Sequence, residues 1–193
     1  MLGPKFADAL AYATELHAAQ TRKRNGGTAY IGHLLSVAGL VIEEGGTETQ
    51  AIAALLHDAA EDQGGEARLA EIAERFGDDV ALIVRECSDT LEQDKPPWRP
   101  RKEAYIAHLA DAHEDTLLVS LADKVDNARA MLRDYRTVGE ELWARFNESD
   151  PQQQLWYYRG LVEAFAQRFD GPLLEELRIT VDDLAAAREQ ALQ

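Results

Sequence analysis

Apolar residues recur at helical spacing along almost the whole chain, and no stretch alternates apolar and polar residues as a half-buried strand would. A chain patterned this way is expected to be all-α. Helices are predicted over residues 4–21, 33–44, 47–62, 66–76, 78–90, 100–112, 115–135, 151–169 and 172–192. The punctuation agrees with this reading. Gly45 and Gly46, Gly64 and Gly65, and Gly77 stand where helices should stop. Asp150 followed by Pro151 reads as an N-cap and a first-turn proline, and Gly171 with Pro172 as a break before the last helix. Two segments read as basic loops: residues 22–28, which contain glycine, and residues 94–102, which are rich in proline.

A length of 193 residues fits one domain with a sizeable core. The single cysteine, Cys87, excludes an intramolecular disulfide framework, suits a reducing compartment and is expected to be a small core residue. No basic flank precedes an apolar run at the N-terminus, and no apolar stretch approaches the roughly 20 residues that span a bilayer. A cytoplasmic setting is therefore expected. The net charge of −15 argues against long nucleic acid and anionic membrane surfaces as partners. It leaves room for a small anionic substrate, because a metal and local basic residues can invert the field inside one cleft.

His33, His57, Asp58 and Asp123 all lie in strongly apolar helical contexts. Taken alone, a His-Asp pair is weak evidence, since a lone buried histidine is commonly a hydrogen-bonded core residue. Burying four ionisable groups without a metal or mutual pairing is costly, however, and a shared cation offsets the cost for all of them. Two imidazoles and two carboxylates with open positions suit a six-coordinate ion such as Mn²⁺, whereas zinc usually takes fewer ligands or thiolates. Glu61 follows His57 by four positions and Asp62 follows Asp58 by four, so a continuous helix would place them on the same face. Carboxylates there can accept a proton from an attacking water or orient it. Asn127 follows Asp123 at the same interval and could hydrogen-bond a sugar or a phosphate. Lys102, Arg101, Lys124 and Arg129 are candidates for pairing with phosphates.

Three segments, in order, resemble the motifs of HD-type alarmone hydrolases. Residues 17–38, with His17, Gln20, Arg22, Lys23, Gly27, Tyr30 and His33, look like the entry motif. Residues 53–62 look like the HD-x-x-ED motif, and residues 121–127 like the L-A-D-[KR]-x-x-N motif. The small single-domain members of this family, similar to the hydrolase half of RelA/SpoT proteins, are the best match. The resemblance implies an HD-domain helical bundle of about nine to ten helices. It implies a single hydrolase domain over residues 1–193, with a motif core near 6–135 and C-terminal helices near 151–192 that pack or close over the site. It further implies one Mn²⁺ held by His33, His57, Asp58 and Asp123, with Glu61 and Asp62 acting on water. The implied substrate is a purine nucleotide with a 3′-diphosphate, such as ppGpp, cleaved to a nucleoside 5′-diphosphate and pyrophosphate. Arg22 and Lys23 match residues that lie against the base, and Asn127 matches one that contacts the ribose.

The chain departs from the family pattern at Leu34, where a proline is common, at Asp126, where His or Tyr is common, and at Ala130, where Thr or Asp often lies near the base. The last departure predicts relaxed guanine recognition and acceptance of adenine alarmones. Other readings of the same residues are another HD-type nucleotide phosphohydrolase, such as an NADPH 2′-phosphatase, and a non-catalytic nucleotide sensor. The presence of all four ligand positions and both following acids weighs against the sensor. Oligomeric state leaves no trace in the sequence.

Overall fold

The computed structural model describes residues 1–22, 27–92 and 94–193. Among these residues it contains ten α-helices, one 3-10 segment and, as the only β-type pairing, an isolated antiparallel bridge between Thr21 and Ala29. No helix among them is long and apolar enough to cross a membrane. The chain forms two compact units, residues 1–97 with 112–123, and residues 98–111 with 124–193.

The first unit contains α1 (Pro4–Leu16), α2 (Ile31–Glu43), α3 (Glu48–Leu56), α4 (Ala59–Gln63), α5 (Gly65–Phe76), α6 (Asp78–Cys87) and the start of α8 (Glu114–Val138). Its centre is α3, which packs against α1, α2 and α6. Every residue of α3 from Gln50 to Leu56 is buried. Ala51, Ala53 and Ala54 keep its surface narrow, so neighbouring helices approach closely, while Ile52, Leu55 and Leu56 fill the space between them. Thr47 starts the helix through a reciprocal capping box with Gln50. Gln50 also donates to the Asp115 carbonyl in the first turn of α8 at 3.2 Å. Glu86 of α6 accepts from the His113 N–H and the Thr116 hydroxyl, tying the same turn down from a second side.

The predicted helix over residues 47–62 divides at His57 and Asp58. The His57 imidazole hydrogen-bonds the Ala54 carbonyl at 2.8 Å through Nδ1. It thereby competes for the acceptor that would continue the helical ladder, and Asp58 follows with φ −93° and ψ −5°. The helical hydrogen bond reappears at once, from the Asp62 N–H to the Asp58 carbonyl at 2.9 Å. The first predicted helix also ends early, at Leu16, and the one predicted to reach residue 90 ends at Cys87, beyond which Ser88 is extended. Cys87 is half-buried rather than fully in the core.

The second unit contains α7 (Trp98–His108), the remainder of α8, the 3-10 segment Gly139–Arg145, α9 (Pro151–Ala166) and α10 (Pro172–Ala191). The Trp98 ring meets Trp156 and Tyr157 edge-on at centroid distances of 6.3 and 5.9 Å. Gly160 admits Ile106 against α9, where an added Cβ would stand 2.8 Å from Ile106 Cδ1. Leu173, Leu174, Leu177, Val181 and Leu184 form the buried face of α10. The 3-10 segment has no counterpart in the predicted helices; it begins at Gly139, whose φ of +58° suits glycine.

Gly46 closes the turn before α3. A Cβ there would lie 2.6 Å from Val41 Cγ1, 2.7 Å from the Val41 carbonyl oxygen and 3.2 Å from Leu118 Cδ2. Because one of these neighbours is backbone, the clash cannot be relieved by a rotamer change alone. Gly46→Ala is therefore expected to lower stability by about 1–3 kcal/mol, read as a lower urea midpoint with an unchanged slope.

Candidate metal centre

His33 sits in the first turn of α2, His57 at the end of α3, Asp58 immediately after it and Asp123 within α8. His33, His57 and Asp123 are 3%, 2% and 6% exposed, so these groups must satisfy one another or bind something. They converge. His33 Nε2 lies 3.2 Å from Asp123 Oδ1 and 3.6 Å from Asp58 Oδ2. His57 Nε2 lies 3.0 Å from Asp58 Oδ2 and 3.5 Å from Asp123 Oδ1. Ligand bonds of ~2.1 Å at right angles would set neighbouring donors ~3 Å apart, the scale of these separations. His33, His57 and Asp58 each offer an atom within 4.8 Å of the others. His57 Nε2 is buried and, despite its short distance to Asp58, is not aligned in a hydrogen bond. A buried nitrogen set between two carboxylates in this way fits a cation site.

The electrostatics also favour a positive charge. Burial would lower the His57 pKa, but the Asp58 and Asp123 carboxylates outweigh it and hold the imidazole well above its usual range. Burial likewise opposes ionisation of Asp58, and the two imidazoles overcome it, keeping this carboxyl well below its usual range. The Tyr30 hydroxyl donates to Asp58 Oδ2 at 2.5 Å, and burial followed by the Asp58 charge raises the pKa of that phenol. This bond fixes one oxygen of a candidate ligand from outside the cluster.

Glu61 and Asp62 follow on α4, and their side chains take different partners. Glu61 Oε2 accepts from the Asp89 N–H at 3.0 Å, and Oε1 pairs with Lys95 Nζ at 2.7 Å. Asp62 Oδ2 accepts from Gln20 Nε2 at 2.7 Å. Burial and the neighbouring Asp58 charge raise the Asp62 pKa, a shift that suits a group taking up a proton.

All six of these residues belong to the first unit, as does Arg22, which is half-buried and whose N–H donates to the Thr28 carbonyl at 2.9 Å. Lys23 lies outside the described residues. Lys102, Arg101, Lys124, Asn127 and Arg129 belong to the second unit. There, the Lys124 ammonium lies over the Tyr105 ring at 4.8 Å and the Lys102 ammonium over Tyr157 at 4.7 Å. Arg129 pairs with Glu176, and Arg101 and Asn127 are half-buried. Sequence reasoning gave no role to Tyr30 or Gln20. Both stand within the entry segment, but in a loop, where helical periodicity carries no information.

Comparison with known proteins places this geometry in context. A family model described as "HD domain" matches residues 9–150. The guanosine-3′,5′-bis(diphosphate) 3′-pyrophosphohydrolase MESH1 of Xenopus tropicalis is 39% identical over 140 residues, covering 71% of this chain and 73% of the relative. The Drosophila melanogaster protein of the same name is 35% identical over 127 residues, covering 65% and 68% respectively. Among solved structures, that of a metazoan SpoT orthologue described as hydrolysing ppGpp superposes with a TM-score of 0.74 at 26% identity, covering 97% of both chains. A Listeria monocytogenes protein superposes with a TM-score of 0.68 at 28% identity, covering 78% of this chain and 96% of its own.

A ligand that binds only the folded state stabilises it. A divalent ion at a hundred times its Kd should add about 2.7 kcal/mol, roughly 5–10 °C in melting temperature for a chain of this size. Chelation should remove that increment, and His57→Ala should melt at one temperature with or without added metal. An equal metal-induced shift in His57→Ala would place the ion elsewhere.

Proposed function

We propose, from the premise that this chain belongs to the HD-domain family, that it is a divalent-metal-dependent hydrolase that releases pyrophosphate from the 3′-diphosphate of purine nucleotide alarmones such as (p)ppGpp. The observation that carries the reading is the convergence of His33, His57, Asp58 and Asp123 beside two further acids, in a chain similar over most of its length to 3′-pyrophosphohydrolases. The family match runs from residue 9 to residue 150 and so enters both compact units, which supports treating the chain as one hydrolase domain. The single cysteine and the absence of a membrane-spanning helix among the described residues support a cytoplasmic setting.

The four converging side chains would hold the ion, and Mn²⁺ suits their mixture of imidazole and carboxylate. When bound, the ion would polarise the phosphoryl group and favour ionisation of water. In the reaction, the water oxygen bonds to the phosphorus attached to ribose O3′. The bond from that phosphorus to O3′ breaks and O3′ takes up a proton, leaving a nucleoside 5′-diphosphate with a free 3′-hydroxyl, and pyrophosphate. Asp62 and Glu61 take the proton from the water or orient it, and Tyr30 keeps Asp58 from rotating away. Arg22 and Lys23 are proposed to lie against the purine face, which a planar guanidinium matches well. Asn127 is proposed for the ribose. Lys102, Arg101, Lys124 and Arg129 are proposed for the phosphates, and Arg129 would have to exchange its Glu176 partner to serve there.

A panel of purine nucleotides, assayed with Mn²⁺ and scored for both pyrophosphate and orthophosphate, tests the reading. Pyrophosphate from ppGpp is expected, lost on chelation and restored best by Mn²⁺. Because Ala130 offers no side-chain hydrogen bond, the adenine counterpart should also react, with guanine preferred by less than about 10³-fold, the scale reached by a dedicated hydrogen-bonding site. Orthophosphate as the sole product would assign the chain to a different phosphohydrolase reaction.

Glu61→Gln separates the roles of the acids from those of the ligands. It should retain the metal and lose about 10²–10⁴-fold in turnover, the usual contribution of a positioned acid or base. Metal content and turnover measured on the same sample check this, and loss of the metal would make Glu61 a ligand.

A further inference from the structure

We infer that Gln20 is a positioning residue whose side-chain amide sets the orientation of the Asp62 carboxylate, with His17 and Gln63 fixing the amide in turn; the inference rests on the hydrolase reading for its catalytic consequence but not for its geometry. Gln20 lies outside the helices, between α1 and the Thr21–Ala29 bridge. Its amide nitrogen donates to Asp62 Oδ2 at 2.7 Å. Its amide oxygen accepts from Gln63 Nε2 at 2.8 Å and lies 2.7 Å from His17 Nδ1.

This pattern allows one orientation of the amide. A carboxylate can only accept, so the nitrogen must face Asp62, and the oxygen then faces both other partners. His17 must accordingly carry its hydrogen on Nδ1. That ring is itself held, because His17 is 2% exposed and stacks on Tyr30 with centroids 5.3 Å apart. Its Nε2 is buried and has no hydrogen-bond partner among the described residues, so the polar contact that orients the ring is the one at Nδ1.

The backbone pins the same segment. The Tyr30 N–H donates to the Gln20 carbonyl at 3.0 Å, and the Arg22 N–H to the Thr28 carbonyl at 2.9 Å. The entry loop therefore reaches both functional carboxylates: Tyr30 holds the candidate ligand Asp58 and Gln20 holds the candidate water-handling Asp62. Arg22, proposed to meet the base, stands two residues beyond Gln20 on this loop.

The test uses the full chain and three variants, Gln20→Ala, Gln20→Glu and Gln20→Leu. Each should lower kcat about 10- to 100-fold, the usual effect of losing an outer hydrogen-bonding partner, with KM and the metal-induced melting shift little changed. Gln20→Glu is the discriminating variant: it keeps the shape but removes the donor, so a packing role would leave it near wild type. In an Asp62→Asn background, Gln20→Ala should cost less than about twofold, because residues that act through one another are non-additive. A crystal structure of Gln20→Leu provides a readout that needs no substrate. The Asp62 carboxylate should leave its position while the four candidate ligands keep theirs. If wild type turns over ppGpp and Gln20→Glu matches it, or if Asp62 stays in place in Gln20→Leu, the inference is overturned. If wild type fails on every 3′-diphosphate nucleotide but Asp62 moves in Gln20→Leu, the positioning role stands and the substrate reading falls.

Discussion

The hydrogen bond from the His57 imidazole to the Ala54 carbonyl joins the core of the first unit to its candidate chemistry. A carbonyl can only accept, so Nδ1 carries the hydrogen and Nε2 is the nitrogen left to face the carboxylates. The ring is thereby oriented and its tautomer chosen by a residue buried in α3. The same bond ends α3 and lets the chain turn at Asp58 before α4 begins, which separates the Asp58 carboxylate from the acids that follow it. Had the helix run on, Glu61 and Asp62 would have been aligned with His57 and Asp58 along one stripe. In the folded chain they diverge instead, Glu61 toward Asp89 and Lys95 and Asp62 toward Gln20.

Charge reinforces this division of labour. The chain carries a net charge of −15, and a polyanionic substrate would be repelled by a surface of that kind without local compensation. Compensation begins within the cluster. The Asp58 and Asp123 carboxylates push the His57 pKa well above its usual range, so the position favours positive charge. Lys95 compensates Glu61 in the same unit. In the second unit the Lys102 and Lys124 ammonium groups lie over aromatic rings.

Helical periodicity made most elements legible, because their apolar stripes are set by the face each helix buries. It failed where a side chain competes with the backbone. Nothing in the apolar run before His57 or in Ala59 and Ala60 after it discourages a continuous helix; the break comes from an imidazole taking a carbonyl. The four candidate ligands were legible because ionisable residues in apolar surroundings require a reason. Gln20 and Tyr30 were not, since they act from a loop whose contacts have no period. The basic residues were legible as charges but not as partners. Arg129 and Glu176 are far apart in sequence, and only the fold pairs them.

The complete burial of α3 from Gln50 to Leu56 bears on how variation in such chains should be interpreted. A helix with one wet face can drift there without consequence, whereas this one has no such face. Substitutions at Ala51, Ala53 or Ala54 would push neighbouring helices apart, so these positions should resist change for reasons of volume alone. Invariance just before His57 would therefore record packing, and invariance at Asp58, Glu61 and Asp62 just after it would record the proposed chemistry. The two pressures meet at a single residue, and a sequence profile drawn across the segment would show one unbroken block with two unrelated causes.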